Sequence, residues 1–244
     1  MKTEQINDII NKHALWLNNK DGGERANLHG ADLRDADFQA ADLRRSDLRD
    51  ANLRGADLRR AILRDANLRD ADLRRADLQC ADLRRADLRS ADLRSADLRG
   101  ADLRCAKLRD ADLRCADLQG AELWDANLQG ADLCRAKLLR ADLQGADLQG
   151  ADLRGADLRS TDLRGAVDAP VVFQAGPWRV YMQGGNIQVG SWCHPVDDWR
   201  GFSDDEIADM RPHALEWWHH WRPAILALAD AQATYYAGNS EEEV

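Results

Sequence analysis

The chain has 244 residues, only 6% of them aromatic and 32% charged, with 34 basic against 43 acidic side chains and a formal net charge of −9. That length allows a sizeable core in one or two domains, while no run approaches the ~18 consecutive apolar residues of a membrane span. The opening "MKTEQINDII" lacks the basic-then-apolar order of a secretory signal, and five cysteines without a CxxC lead us to expect a cytoplasmic protein with free thiols.

Residues 1–25 predict a helix. Ile6, Ile9, Ile10, Ala14 and Leu17 fall at helical spacing, Trp16 lies nearby, Thr3 is a suitable N-cap, and "NNKDGGE" then signals a turn.

From Ala26 to Gly165 one five-residue word, Ala-Asp-Leu-Arg-x, recurs 28 times without insertion. Its middle residue is Leu in 27 copies and Phe38 in the other; its first is Ala in 26, with Ser46 and Thr161 as exceptions. Its second residue is Asp in 20 copies, its fourth is Arg in 18, and its fifth varies freely among Gly, Asp, Arg, Ser, Cys and Ala. A period of five gives a helix no apolar stripe, and along one continuous strand it sends successive leucines to opposite faces. The pattern works as a short extended stretch followed by a tight turn, with Leu and Ala inward and the other three residues outward. Four corners close a square, so twenty residues make one coil, and coils stack about 4.8 Å apart. Residues 26–165 therefore resemble the pentapeptide-repeat family, whose fold is an all-β solenoid, a right-handed quadrilateral β-helix. The resemblance implies seven coils, a rod about 34 Å long, and a core ladder that includes Leu28, Leu33, Phe38, Leu83, Leu88, Leu103, Leu123 and Leu163. A stacked array needs end caps, so the N-terminal helix is expected to lie over the first coil, close to Phe38.

After Gly165 the composition changes. Residues 166–202 read as a linker with a β-hairpin around Gly184–Asn186. "SDDE" is a capping box, Ser203 with Glu206, opening helices over 203–237. Pro212 marks a break, Pro223 a bend, and 238–244 an acidic tail. Six of the eight tryptophans fall in this α+β module, which is similar to a small module of phage and prophage proteins to which no activity is attached.

Charge decides among the functions. The solenoid holds 26 basic and 27 acidic side chains, whereas residues 166–244 hold four and twelve, so the acidity is in the appendage. Each exposed Asp–Arg pair contributes little, and the grid serves solubility and register. The resemblance implies one alternative role: DNA mimicry by members that bind DNA gyrase and protect it from quinolones. Duplex DNA of this length carries roughly twenty charges per 34 Å, against a solenoid net of −1. The same neutrality gives no basic patch for direct nucleic-acid binding.

The favoured reading is a non-catalytic scaffold with a protein partner, its C-terminal module serving recognition or self-association as a homodimer. Lys107, Glu122, Trp124, Cys134, Lys137 and Leu139 break the word, as Ile62 does alone. Trp124 and Leu139 are outward apolar positions, either a docking surface or a patch covered by the C-terminal module folding back; Trp217, Trp218 and Trp221 are the module's candidates for the same contact. Cys193-His194 with His213, His219 and His220 lacks zinc-ligand spacing, and "QGGN" is hairpin chemistry, so no catalytic residue, metal, cofactor or small-molecule substrate is expected. Cys115 and Cys134 are placed on adjacent coils, where free thiols are favoured over a disulfide.

Overall fold

The computed structural model describes residues 1–190 and 192–239, the last six by backbone alone. They form two compact units, Met1–Ala169 and Pro170–Val244.

In the first unit, parallel bridges join each residue at the second position of a word to the one twenty residues later, from Asn27↔Asp47 through Asp147↔Val167. The coil is thus four words long, and the stack runs two residues beyond Gly165, because Val167 still pairs with Asp147. The word 81–85 shows why the sequence closes this way. Asp82 N–H donates to Ala61 O of the previous coil (2.9 Å), and Leu83 and Arg85 N–H donate to Asp102 O (2.7 Å) and Arg104 O (3.0 Å) of the next. Ala86 N–H closes the turn on Leu83 O (3.0 Å). The remaining donor, Arg84 N–H, goes to the Asp82 side chain at 3.3 Å. Every N–H is satisfied, one of them by the aspartate, so Asp is part of the turn as well as of the surface.

The fifth position carries a hidden constraint. All 28 fifth residues, from Gly30 to Gly165, have φ between +53° and +69°. Nineteen of them are not glycine, and the free choice of side chain there conceals a left-handed backbone that L-residues adopt at a cost.

Inside the stack, the ladder leucines from Leu28 to Leu158 and Phe38 are buried, Leu28, Leu33, Phe38, Leu83, Leu88, Leu103 and Leu123 among them. Leu163 departs from the expectation: it is half-buried, the end of a rise in exposure along the last coil from Leu148 through Leu153 and Leu158. The chain continues over only the first word of that coil, where Val167 pairs with Asp147. The two exceptions at the first position differ. Thr161 Oγ1 donates to Leu138 O at 2.7 Å, whereas the buried Ser46 hydroxyl has no partner.

Helix α1 (Thr3–Leu17) begins one residue earlier than the cap assignment required: Lys2 is the N-cap, and Thr3 is already helical. Gln5 Oε1 accepts from Lys2 N–H at 3.1 Å, a bond Thr3 does not supply. The helix is pinned to the coils by a residue the apolar pattern passed over, His13, which is 0% exposed. Its Nδ1 accepts from Ala26 N–H (3.0 Å), so its Nε2 carries the proton and donates to Arg44 O (3.0 Å). Trp16 stacks on the ring at 5.4 Å. A polar cavity of about 440 Å³ lies between α1 and the first coil, lined by Thr3, Ile6 and Asn7 on one side and Asp32, Leu33 and Asp37 on the other.

In the second unit the expected hairpin is the centre of a four-stranded antiparallel meander, β1 (Val171–Ala175), β2 (Trp178–Gln183), β3 (Asn186–Val189) and β4 (Trp192–Pro195). The turn at Gly184-Gly185, both with positive φ, sets the register Gln183↔Asn186. Residues read as linker supply β1, β4 and a short helix α2 (Val196–Gly201). Helix α3 (Asp204–Met210) opens on the expected capping box: Glu206 N–H donates to Ser203 Oγ (3.3 Å), and Ser203 N–H to Glu206 Oε2 (2.8 Å). Helix α4 (Ala214–Asn239) contains Pro223 and runs past residue 237; the rest of the acidic tail, 240–244, lies outside the described residues. Val180 and Met182 of β2 and Ile187 and Val189 of β3 face Trp199, Ile207, Trp218 and Ile225 in one core.

Candidate interaction surfaces

On the solenoid the functional chemistry is the outward grid. Within a word, Arg at the fourth position closes two parallel bonds on Asp at the second, as Arg94 Nε and Nη2 do on Asp92 Oδ1 (2.8 Å) and Oδ2 (2.6 Å). This fork geometry is specific to guanidinium. The Arg34 pair holds the Asp32 carboxyl at about 2, and the same guanidinium bonds hold Asp47, Asp57 and Asp72 below the usual carboxylate range.

Arginines also reach the next coil. On one face Arg74 contacts Asp72 (2.5 Å) and Asp92 (3.5 Å), Arg94 contacts Asp92 and Asp112 (3.4 Å), and Arg114 contacts Asp112 (2.5 Å) and Asp132 (3.3 Å). On the opposite face Arg64 reaches Asp82 (3.1 Å), Arg84 joins Asp82 to Asp102 (3.2 Å), and Arg104 joins Asp102 to Glu122 (3.2 Å). Ile62 explains the start of this second ladder: with no acceptor two residues before it, Arg64 turns to the following coil. Each ladder ends where its next fourth position is not arginine, at Cys134 on one face and Trp124 on the other.

Trp124 is 48% exposed, and its backbone keeps the coil intact through Cys105 N–H to Trp124 O (2.9 Å). Leu139 is half-buried; beside it Lys137 reverses the usual charge and its Nζ donates to Asp117 Oδ2 at 3.0 Å. Cys115 N–H donates to Cys134 O (3.0 Å), placing them on adjacent coils as free thiols.

In the second unit the tryptophans expected at a contact surface separate. Trp218 is 1% exposed and Trp217 9%; both are core residues, Trp217 packed on Trp178 at 4.7 Å and Trp218 on Trp199 at 5.1 Å. Trp217 Nε1 donates to Ala175 O (2.6 Å) and Trp199 Nε1 to Ile187 O (2.8 Å). Trp221 is half-buried. A small cavity of about 20 Å³ is lined by Trp178, Trp192, Trp199, Trp217, Trp218 and Arg211, with further apolar side chains around it.

The histidines of this unit serve local contacts. His219 Nε2 lies 2.9 Å from Asp204 Oδ1, His194 packs edge-on against Phe202 at 5.1 Å, and His213 occupies the turn before α4 with φ +65°. Among the described residues no group of His, Cys, Asp and Glu could hold a metal ion, and no helix is long and apolar enough to cross a membrane.

The pentapeptide-repeat family matches this chain in eight copies over segments that together run from residue 26 to 165. More than half of the chain is covered, and the protein belongs to the pentapeptide-repeat family. Among solved structures it is similar to HetL, a pentapeptide repeat protein involved in heterocyst differentiation regulation in the cyanobacterium Nostoc, at 34% identity over 63% of this chain and 93% of that one, with a TM-score of 0.27. It is also similar to QnrB1, a plasmid-mediated fluoroquinolone resistance protein, at 23% identity over 59% and 85% of the two chains with a TM-score of 0.29. A third is a pentapeptide repeat protein of the Arabidopsis thaliana thylakoid lumen, at 32% identity over 44% and 68% with a TM-score of 0.25. No curated protein matches.

Proposed function

We propose that this protein is a non-catalytic scaffold of the cytoplasm, a right-handed quadrilateral β-helix that presents a rigid face to a protein partner, with the C-terminal module as its recognition or self-association end. One observation carries the reading: an ion ladder of paired Asp and Arg ends at the exposed indole of Trp124. Paired charges hold each other and offer a ligand little, whereas an exposed tryptophan at the edge of such a grid is an anchor of the kind that dominates protein interfaces.

Mimicry of DNA requires unpaired negative charge. Here the aspartates at ladder positions are closed by arginines at 2.5–3.5 Å. A supercoiling assay with the full chain and DNA gyrase tests this directly. No inhibition is expected at any ratio of protein to enzyme; titratable inhibition would replace the scaffold reading with the mimic. The positive arm is capture of partners by the full chain and by Trp124→Ala, with loss of a specific protein from the Trp124→Ala sample expected and identical capture contradicting the role of Trp124.

A further inference from the structure

Three indoles form the centre of the second unit, and two of them are satisfied: Trp199 by Ile187 O and Trp217 by Ala175 O. The third is not. Trp218 is 1% exposed, and its Nε1 has no acceptor. An orphaned buried donor of this kind costs about 1–3 kcal/mol, and Trp218 forms part of the wall of the cavity of about 20 Å³. That space admits one water-sized group. Arg211 lines the same cavity; it is exposed, and its guanidinium makes no ion pair among the described residues. A second guanidinium, Arg222, lies 5.8 Å from the Trp218 ring centroid. Two of the four arginines of residues 166–244, a segment with twelve acidic side chains, thus lie at this cavity or over its indole.

We propose that this cavity is a binding site for a carboxylate carried on an aromatic or branched aliphatic group. One carboxylate oxygen enters the cavity and accepts from Trp218 Nε1–H, the other faces Arg211, and the apolar group rests on Trp178 and Trp192 at the rim. Chemistry selects this class. A buried N–H requires an acceptor, an exposed guanidinium without an ion pair favours an anion over a neutral group, and an indole-lined rim favours an apolar or aromatic body over a hydrated one. A cation is disfavoured by Arg211 and has nothing to offer the N–H. The proposal deepens the reading of the module as a recognition end, and the same carboxylate chemistry can come from a free organic acid or from the C-terminal residue of a peptide.

The test is titration of the full chain, labelled with ¹⁵N in its tryptophan indoles and assigned through bonds so that Trp218 itself is unchanged. The probes are phenylacetate, its uncharged analogue phenylacetamide, and a short peptide ending in Phe as free acid or as amide. Saturable movement of the Trp218 Nε1–H signal is expected with a free acid and not with the neutral partner, and Arg211→Gln should weaken it roughly tenfold. Response to the peptide acid alone identifies a protein C-terminus as the source, and response to both acids a small acid. Movement identical for acid and amide, insensitivity to Arg211→Gln, or no movement up to the solubility of the probes would overturn the proposal and leave a site for a single water. Partner capture that survives such a failure would leave the scaffold reading standing.

Discussion

At the scale of single residues, His13 joins the cap to the coils through two backbone groups, Ala26 N–H and Arg44 O. Burial pushes its pKa below the ordinary 6.5, the hydrogen bond to Arg44 O and the charge of Asp42 opposing this and the guanidinium charges of Arg25 and Arg44 adding to it. The unfolded chain therefore binds a proton that the folded chain resists, and stability held above pH ~6.5 is lost as pH falls toward the lowered value. Thermal melts should show this step, and His13→Phe should remove it while lowering stability by about 1–3 kcal/mol for each orphaned backbone group; a step that persists in His13→Phe assigns it to another residue. A second expectation concerns Ser46, whose buried hydroxyl has no partner. Ser46→Ala should stabilise the solenoid by about 1 kcal/mol, and a loss on denaturant unfolding would show that the hydroxyl is satisfied. The pattern made the buried leucines legible because side-chain direction follows from the turn. It concealed His13, a polar residue that follows Ile6, Ile9 and Ile10 on the same helical spacing, and the left-handed fifth position, where Asp, Arg, Ser, Cys and Ala occur beside Gly. Ser90, exposed with φ +56°, tests that constraint: Ser90→Gly should raise the melting temperature, since the relief of about 1–2 kcal/mol in the left-handed region exceeds the added chain entropy of glycine.

At the scale of the element, the aspartate of each word has two duties, and a pair of substitutions separates them. Asn52 and Asn67 still accept from the N–H of Arg54 and Arg69 at 3.3 Å, which shows that the turn needs an oxygen and not a charge. Asp92→Asn should therefore cost little, whereas Asp92→Ala, which orphans Arg94 N–H, should cost about 0.5–1.5 kcal/mol more by denaturant unfolding. Equal losses would mean that the ion pair alone matters. Within the second unit, the capping box and the Gly184-Gly185 turn were readable because each depends on side chains at fixed offsets. Strands β1 and β4 were not. They are four or five residues long, β4 contains Cys193 and ends at Pro195, and their identity comes from pairing with β2 and β3 rather than from alternation of their own. The candidate surface divided similarly: Trp124 stood out as an apolar residue at an outward position, but the burial of Trp217 and Trp218 depends on which face of α4 meets the sheet.

At the scale of the whole molecule, the repeat turns one local solution into a long surface, and pairing of opposite charges is what lets a stack of carboxylates spaced about 4.8 Å apart exist. Acid should undo it. The carboxylates whose folded pKa is lowered, Asp32, Asp47, Asp57 and Asp72, contribute stability above the ordinary value of 3.8 and lose it as pH falls through their lowered values. The most direct test of the charge-paired exterior is amide hydrogen exchange of the inter-coil N–H groups between Leu73 and Leu113 as salt shortens the screening length from about 10 Å to about 3 Å. Protection that stays level or falls modestly is the predicted result, because screening weakens attraction. Protection that rises steeply with salt would reveal a rod under like-charge repulsion and contradict the account.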